Sequence, residues 1–301
     1  MKNLTLRQIR YFDALARHKH FGRAAEDAAI TQPALSMQIK ELEESLGIPL
    51  LERNARQIRL TGFGEVFLNR ARQILRQVDE LEDLARAARD QPAGKLRIGV
   101  IPTIAPYLLP TIISNLGITY PELAPNLRET VTPRLIEELI DGRIDTAIVA
   151  LPVSEPSLTE VELFEENFIL VRPQKDANRP VPDREMLREM RLLLLEEGHC
   201  FRDQALSFCN LPSNRPREML DGSSLSTLVQ MVGAGIGVTL IPEIAIPVET
   251  RAANVALARF RDPQPARRIG MVWRKSSPME AHLMQIANVV RQAAQSVISR
   301  K

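Results

Sequence analysis

Two thiols nine positions apart carry most of the chemistry that the residue types of this chain suggest. Cys200 and Cys209 are the two cysteines among 301 residues, and they bracket Phe201-Arg202-Asp203-Gln204-Ala205-Leu206-Ser207-Phe208. If the segment is helical, nine steps of about 1.5 Å hold the two Cα atoms roughly 13 Å apart. A disulfide tolerates at most about 7 Å, so bridging the pair would require the helix to unwind, and redox state would be coupled to shape. Arg202 and a protonated His199 would favour the thiolate at Cys200. Cys209 follows the less polar Ala205-Leu206-Ser207-Phe208, where a thiol tends to stay protonated. The competing reading is that both are small buried hydrophobes, the usual lot of a free cysteine, and spacing and neighbours leave the two readings open.

The elements that would position these thiols must come from more than one domain. The length exceeds that of one compact domain, and 45% hydrophobic residues suffice for sizeable cores. Arg7, Arg10, Asp13, Arg17 and Lys19 interrupt any signal-peptide core, and no run of 18 apolar residues occurs. A cytoplasmic protein is expected, and there disulfides are mostly regulatory or catalytic. Net charge is +2, but residues 1–76 hold 13 Lys and Arg against 8 Asp and Glu, a local +5 that suits a phosphate-rich partner.

Helical periodicity begins at Leu6, Ile9, Phe12 and Ala16, and a second short helix covers Phe21–Asp27. A third follows from Gln32, with Thr31 as N-cap, Pro33 tolerated in the first turn and Leu35, Ile39, Leu42 and Leu46 as its buried stripe. Two helices joined by a tight turn, the second opening on small polar residues, suit entry into a DNA major groove. Leu50–Arg53 and Arg56–Thr61 read as two short strands around a turn, a wing. Phe67, Ala71, Ile74, Val78, Leu81, Ala85 and Ala88 then alternate four and three apart, a heptad seam suited to pairing two chains, and Gln91-Pro92-Ala93-Gly94 breaks it. From Lys95 onward, strand-like runs (Leu96–Ile101, Leu127–Val131, Thr146–Ala150, Phe168–Val171, Leu192–Leu195, Val238–Ile241, Gly270–Trp273) alternate with helical ones, an α/β pattern.

Phe21-Gly22-Arg23-Ala24-Ala25-Glu26, Thr31-Gln32-Pro33-Ala34-Leu35-Ser36 and Ile39-Lys40-Glu41-Leu42-Glu43 resemble the signature of the LysR-type transcriptional regulators. The Cys200–Cys209 segment, with its Arg-Asp-Gln and Phe-Cys context, resembles the sensor loop of the peroxide-responsive branch of that family. The resemblance spans essentially the whole chain and is densest at residues 20–62 and 193–209. It implies an α+β multidomain protein: a winged helix-turn-helix over 1–62, a linker and dimerisation helix over 63–91, and a redox-sensing α/β domain over 92–301. That last domain would comprise two periplasmic-binding-protein-like subdomains, about 95–165 with 268–301, and 166–267. It further implies that hydrogen peroxide is the signal, Cys200 the peroxidatic thiol and Cys209 its disulfide partner. Thr103, Thr132 and His199 would position peroxide, and Arg202 and Asp203 would assist the sulfur. Gln32, Pro33 and Ser36 would face DNA bases, Gln38 and Lys40 would lie near phosphates, and Arg53, Arg56 and Arg59 would grip the backbone. Met37 stands where many family members carry arginine.

A homodimer assembling into a homotetramer on approximately palindromic double-stranded DNA, RNA polymerase as partner and thioredoxin or glutaredoxin as reductant complete what the resemblance implies. Gly233-Ala234-Gly235-Ile236-Gly237 lacks the dinucleotide-fingerprint spacing and reads as a helix-to-strand turn. His18 and His20 read as surface residues, the cysteines lack zinc-finger spacing, and no metal, cofactor or enzymatic activity is expected. Two rivals stand beside this reading. One is a LysR-type regulator with a small organic effector in the inter-subdomain cleft and incidental cysteines; the other, which the N-terminal DNA reader opposes, is a thiol peroxidase.

Overall fold

In the computed structural model, residues 4–52, 58–209 and 221–299 are described. They form two compact units that divide after Asp83.

The first unit holds α1 (Leu6–His18), α2 (Phe21–Asp27), α3 (Gln32–Leu46) and most of α4 (Gly62–Ala87). Thr5 and Gln8 cap α1 reciprocally, and the Thr31 hydroxyl accepts the Ala34 N–H at 3.4 Å to start α3. The expected stripe of α3 is buried at Leu35, Ile39 and Leu42, packed with Phe12, Leu15 and Ala24. After Gly47, whose φ of +70° ends the helix, the Glu43 carboxylate accepts the N–H groups of Leu50 and Leu51 at 2.7 and 3.0 Å. Leu51 bridges Leu60 in antiparallel fashion and Glu52 N–H donates to Arg59 O at 3.0 Å, the base of the expected wing. Arg53 and Arg56 lie outside the described residues. Along α4, Phe67 stacks edge-on to Phe12 (5.5 Å) and Ala71 is buried, whereas Ile74 and Leu81 of the same seam are 39% and 65% exposed in the single chain. The helix ends at Ala87, one residue short of the seam's last member, because Asp90–Gly94 cannot continue it.

The second unit runs β1 (Gly94–Val100), α5 (Ala105–Thr119), β2 (Leu123–Glu129), α6 (Thr132–Ile140), β3 (Thr146–Leu151), β4 (Leu158–Pro173), α7 (Arg184–Glu189) and β5 (Leu192–Leu195). It continues through α8 (Cys200–Phe208), β6 (Asp221–Gly222), α9 (Leu225–Gly233), β7 (Val238–Pro242), α10 (Ile246–Glu249), β8 (Val255–Arg259), β9 (Ala266–Arg274) and α11 (Glu280–Ile298). Among the described residues the strands form one path, β2-β1-β3-β9-β4-β7-β5-β6, with β8 also on β4.

The 16-residue β4 is the axis of this unit. Its Leu158–Asn167 stretch pairs antiparallel with β9, and its Phe168–Pro173 stretch pairs with β7 and β8. One strand therefore belongs to two half-sheets, β1–β2–β3–β9 on one side and β5–β6–β7–β8 on the other. Every expected strand run coincides with or overlaps an observed strand. The sequence reading passed over the first part of β4, where Glu160, Glu162, Glu165 and Glu166 interrupt the apolar run, and the short β6 and β8. Gly233–Gly237 does turn the chain from α9 into β7, and a Cβ on Gly237 would fall 2.3 Å from Arg191 O.

Candidate functional site

The four residues of β5 are all buried, and the chain leaving them turns at Gly198, whose φ of +92° favours glycine, straight into α8. Cys200 is the first residue of that helix and Cys209 its C-cap, so the thiols sit at opposite ends of one nine-residue helix. The rise per residue again puts their Cα atoms roughly 13 Å apart. Cys200 is half-buried and Cys209 fully buried, and both are thiols. Phe201, Ala205 and Leu206 bury the inner face of α8, with Phe201 edge-on to Phe168 at 4.9 Å and Phe208 edge-on to Phe260 at 5.1 Å. Withdrawing one such aromatic side chain costs about 1.5–3 kcal/mol, so any rebuilding of α8 must supply at least that.

Cys200, Asp203 and Gln204 share a cleft of about 530 Å³ with Thr132 and with the loop after β3. Thr132 is the first residue of α6, as Cys200 is of α8, and neither helix carries a side-chain hydrogen bond at its N-cap. The first turns of two helices therefore border one cleft, and helix N-termini favour nearby negative charge. Thr132 Oγ1 and Gln204 Oε1 are both buried without a hydrogen-bond partner among the described residues. A hydroxyl and an amide oxygen left open beside a thiol are groups that can hold a small hydroxylated molecule against it.

The other expected site residues are placed differently. The Arg202 guanidinium turns away to donate to Leu195 O at 2.7 Å and to Asp221 Oδ1 at 2.8 Å, so its charge is directed at Asp221 and joins α8 to β6. Burial, opposed by Glu196, pushes the His199 pKa below the ordinary value, which keeps its ring neutral near pH 7. Asp203 is exposed in the first turn of α8.

Thr103 is buried and lies outside the cleft wall. Its Oγ1 accepts from Arg267 at 2.8 Å, its carbonyl accepts from the same guanidinium at 3.2 Å, and Arg267 pairs with Glu166 at 2.8 Å. The pair is 0% and 2% exposed and stands where β4 passes from one half-sheet to the other. The Arg267 guanidinium carbon lies 5.1 Å from the centre of the Phe201 ring, so the residue after Cys200 rests on this ion pair. Nearby, Tyr107 of α5 donates to Glu249 at 2.6 Å and Ser226 of α9 donates to the other oxygen of the same carboxylate, joining the two half-sheets' helices. Burial and then Glu249 drive the Tyr107 pKa far upward, so the phenol stays protonated as a donor.

Comparison with known proteins bears on both units. Residues 6–65 match the bacterial regulatory helix-turn-helix proteins of the lysR family, and residues 89–295 match the LysR substrate binding domain. A probable hydrogen peroxide-inducible genes activator of Streptomyces viridosporus is 42% identical, with 96% of this chain and 94% of that protein aligned. A full-length cysteine-to-aspartate OxyR from Pseudomonas aeruginosa superposes with a TM-score of 0.74 at 35% identity, covering 97% of this chain and 96% of that one. The chain belongs to the OxyR branch of the LysR family. An H2O2-bound cysteine-to-serine OxyR of Corynebacterium glutamicum is similar over 99% of this chain and 94% of that one, with a TM-score of 0.69 and 37% identity.

In this OxyR-branch chain the N-terminal unit presents Gln32, Pro33, Ser36, Met37 and Lys40 on the exposed side of α3, and Arg59 is exposed at the foot of the wing. Gln38 differs: it is half-buried and donates to Glu41 at 2.9 Å, which engages its amide within the helix. Lys40 stands 3.8 Å from Glu44 with 78% of its side chain exposed. Sequence reasoning missed Gln204, Glu166, Arg267, Tyr107 and Glu249. Gln204 had a signal, since a residue four after Cys200 shares its helix face. Arg267 had none, standing 164 residues from Thr103 and 101 from Glu166.

Proposed function

We propose that this LysR-family transcriptional regulator is switched by hydrogen peroxide through a reversible Cys200–Cys209 disulfide. The observation that carries the reading is one helix with a thiol at each end, the first in a cleft and the second buried. The Cys200 thiolate attacks one peroxide oxygen and the O–O bond breaks. Sulfur is oxidised to sulfenic acid, and hydroxide departs and takes up a proton. Thr132 and Gln204 hold the peroxide, and the N-termini of α6 and α8 favour the charge on sulfur and on the departing oxygen. Cys209 sulfur then attacks the sulfenic sulfur, the S–O bond breaks and water leaves. Because about 13 Å separates the Cα atoms of an intact helix and a bridge needs less than about 7 Å, closure melts α8. That strips Phe201 from Phe168 and Arg267 and releases Arg202 from Asp221 and β6. Thr103, expected to help position peroxide, is also tied by Arg267 at the junction of the half-sheets.

The same reading assigns residues 1–62 to DNA binding, 63–91 to the linker and 92–301 to sensing, with two subdomains hinged on β4 and β9. Gln32, Pro33 and Ser36 read base edges, and Lys40, Arg53, Arg56 and Arg59 hold phosphates. The exposed Ile74 and Leu81 of α4 continue a heptad seam that a second copy would cover, giving a dimer, and a tetramer on a two-part operator. The protein acts in the cytoplasm as a regulator rather than an enzyme, reports to RNA polymerase, and is reset by thioredoxin or glutaredoxin.

One equivalent of hydrogen peroxide added to the full chain, followed by thiol counting and non-reducing peptide mass spectrometry, tests the switch. Loss of both thiols to a Cys200–Cys209 bridge, absent in Cys200→Ser, is the expected result. Persistence of both thiols would return the cysteines to packing residues.

A further inference from the structure

Near the C-terminal end of β4 a buried arginine stands without a counter-charge. Arg172 is 6% exposed; its Nη1 donates to the carbonyls of Arg179 and Pro180 at 2.8 and 3.3 Å, and its Nη2 to that of Ala177 at 2.7 Å. A guanidinium has five N–H donors. These bonds pin the chain over residues 177–180, and Nε is buried without an acceptor among the described residues. Arg202 and Arg267 are buried too, yet each meets a carboxylate, Asp221 and Glu166 respectively. Arg172 meets carbonyls alone among the described residues. A buried charge is costly unless it is paired, so carbonyl dipoles leave this one short of a partner.

Beside it lies a pocket of about 290 Å³ that shares no residue with the Cys200 cleft. Its apolar lining comes from β4 and from the segment through α7: Leu170 and Pro182 are buried, Met190 is half-buried and Met186 is 51% exposed. The two methionines stand four residues apart, on one face of α7 and its C-cap. Unbranched thioether chains adapt to apolar bodies of different shape. Of the two carboxylates in the lining, Asp176 pairs with Arg179 at 3.0 Å and Glu189 is exposed to water. The volume lies at the lower end of organic-ligand pockets, roughly 300 Å³, which is room for one aromatic ring and its headgroup.

We infer that this pocket binds a small apolar monocarboxylate, with its charged group against the Nε side of Arg172 and its hydrocarbon body against Leu170, Pro182, Met186 and Met190. A carboxylate matches the planar guanidinium and accepts from two of its donors side by side. An inorganic anion would answer the charge and leave the apolar walls wet, and a neutral apolar molecule would do the reverse. The site is a second input to the sensor, independent of the chemistry at Cys200. It reaches the switch through the chain itself, since α7 leads directly into β5 and then α8.

The test titrates the reduced full chain with 4-fluorobenzoate by fluorine NMR, beside 4-fluorobenzamide, which keeps the ring and lacks the charge. Saturable binding of the acid is expected in the millimolar range or tighter, with the amide at least tenfold weaker, because a hydrogen bond to a charged group contributes about tenfold or more. Arg172→Met, and independently Met186→Trp, which fills the pocket and leaves the bonds of Arg172 to residues 177–180 in place, should each weaken the acid tenfold or more. Ile136→Trp, which fills the Cys200 cleft, should change it less than twofold. If urea unfolding shows that Arg172→Met does not fold, Met186→Trp and the amide decide. Absence of saturable binding in the millimolar range would overturn the inference. Equal affinity for acid and amide would do the same, as would displacement of the acid by an equal concentration of inorganic sulfate. Binding lost in Ile136→Trp and kept in the other two variants would place the acid in the Cys200 cleft and overturn it as well.

Discussion

Replacing Glu166 by glutamine should destabilise the C-terminal unit more than any surface ion-pair change. The carboxylate is 2% exposed, its Oε1 accepts from Arg267 Nε and Nη2 at 2.9 and 2.8 Å, and its Oε2 accepts from the Ile244 N–H at 3.1 Å. Glutamine keeps the size but leaves the wholly buried guanidinium of Arg267 without a counter-charge. Breaking one partner of such a pair costs about 3–5 kcal/mol, against about 0–1 kcal/mol for an exposed pair. Trp273, the sole tryptophan, is fully buried on β9, the strand that carries Arg267, so its fluorescence reports unfolding of this unit in the intact chain. With a urea slope of about 3 kcal/mol per molar, the midpoint should fall by about 1–1.7 M. Removing both charges as Glu166→Leu with Arg267→Met should recover at least half of that loss, because no uncompensated ion is left behind. A glutamine variant within about 0.3 M of the parent, or a double variant as unstable as the single one, would refute the argument that the pair matters as a buried charge couple.

Two further outcomes follow from the site and the DNA-facing helix. His199 has a folded pKa lowered by burial, so the unfolded chain binds its proton more readily; its contribution to stability is complete well above its ordinary value near 6.5 and declines as pH falls through that value. Urea midpoints of the parent and of His199→Asn, followed from pH 8 to pH 5, should converge or cross toward acid, and a constant gap would contradict the assignment. Lys40→Ala should weaken operator binding about equally across base substitutions and reduce the slope of log affinity against log salt by about 1; an unchanged slope in a salt titration by fluorescence anisotropy would remove Lys40 from the phosphate contacts.

Much of this was legible in the order of the residues. Leu35, Ile39 and Leu42 at helical spacing, with Thr31 before them, place α3 and hence its exposed Ser36 and Lys40. The apolar runs place most strands because fully buried strands admit few polar residues. The first part of β4 escaped because its charged residues stand among the apolar ones and because the register shift between Glu162 and Phe164 buries the consecutive Leu163 and Phe164, which breaks the alternation. The α8 segment could be recognised, but its neighbours misled: Arg202 seemed poised for sulfur when its partner was Asp221, 19 residues away. Adjacency in sequence does not say which way a long side chain turns. The hinge ion pair was invisible for the same reason in stronger form, since pairing Glu166 with Arg267 depends on β4 and β9 lying in register, Glu166 opposite Arg267.

That register has a mechanical consequence. Because β4 runs from its ladder with β9, which ends at Asn167, straight into its ladders with β7 and β8, which begin at Phe168 and Ile169, the halves share one unbroken strand and not a slack tether. The two-stranded β4–β9 ribbon that leads into this junction resists stretching and sliding, since either breaks ladder bonds, but yields to twisting, the deformation strands already carry. The register shift between Glu162 and Phe164 sits within this ribbon, and such bulges increase local twist. Work done when α8 melts would therefore emerge as torque about the β4–β9 axis, with Arg267 and Phe201 as the crank through which it is applied.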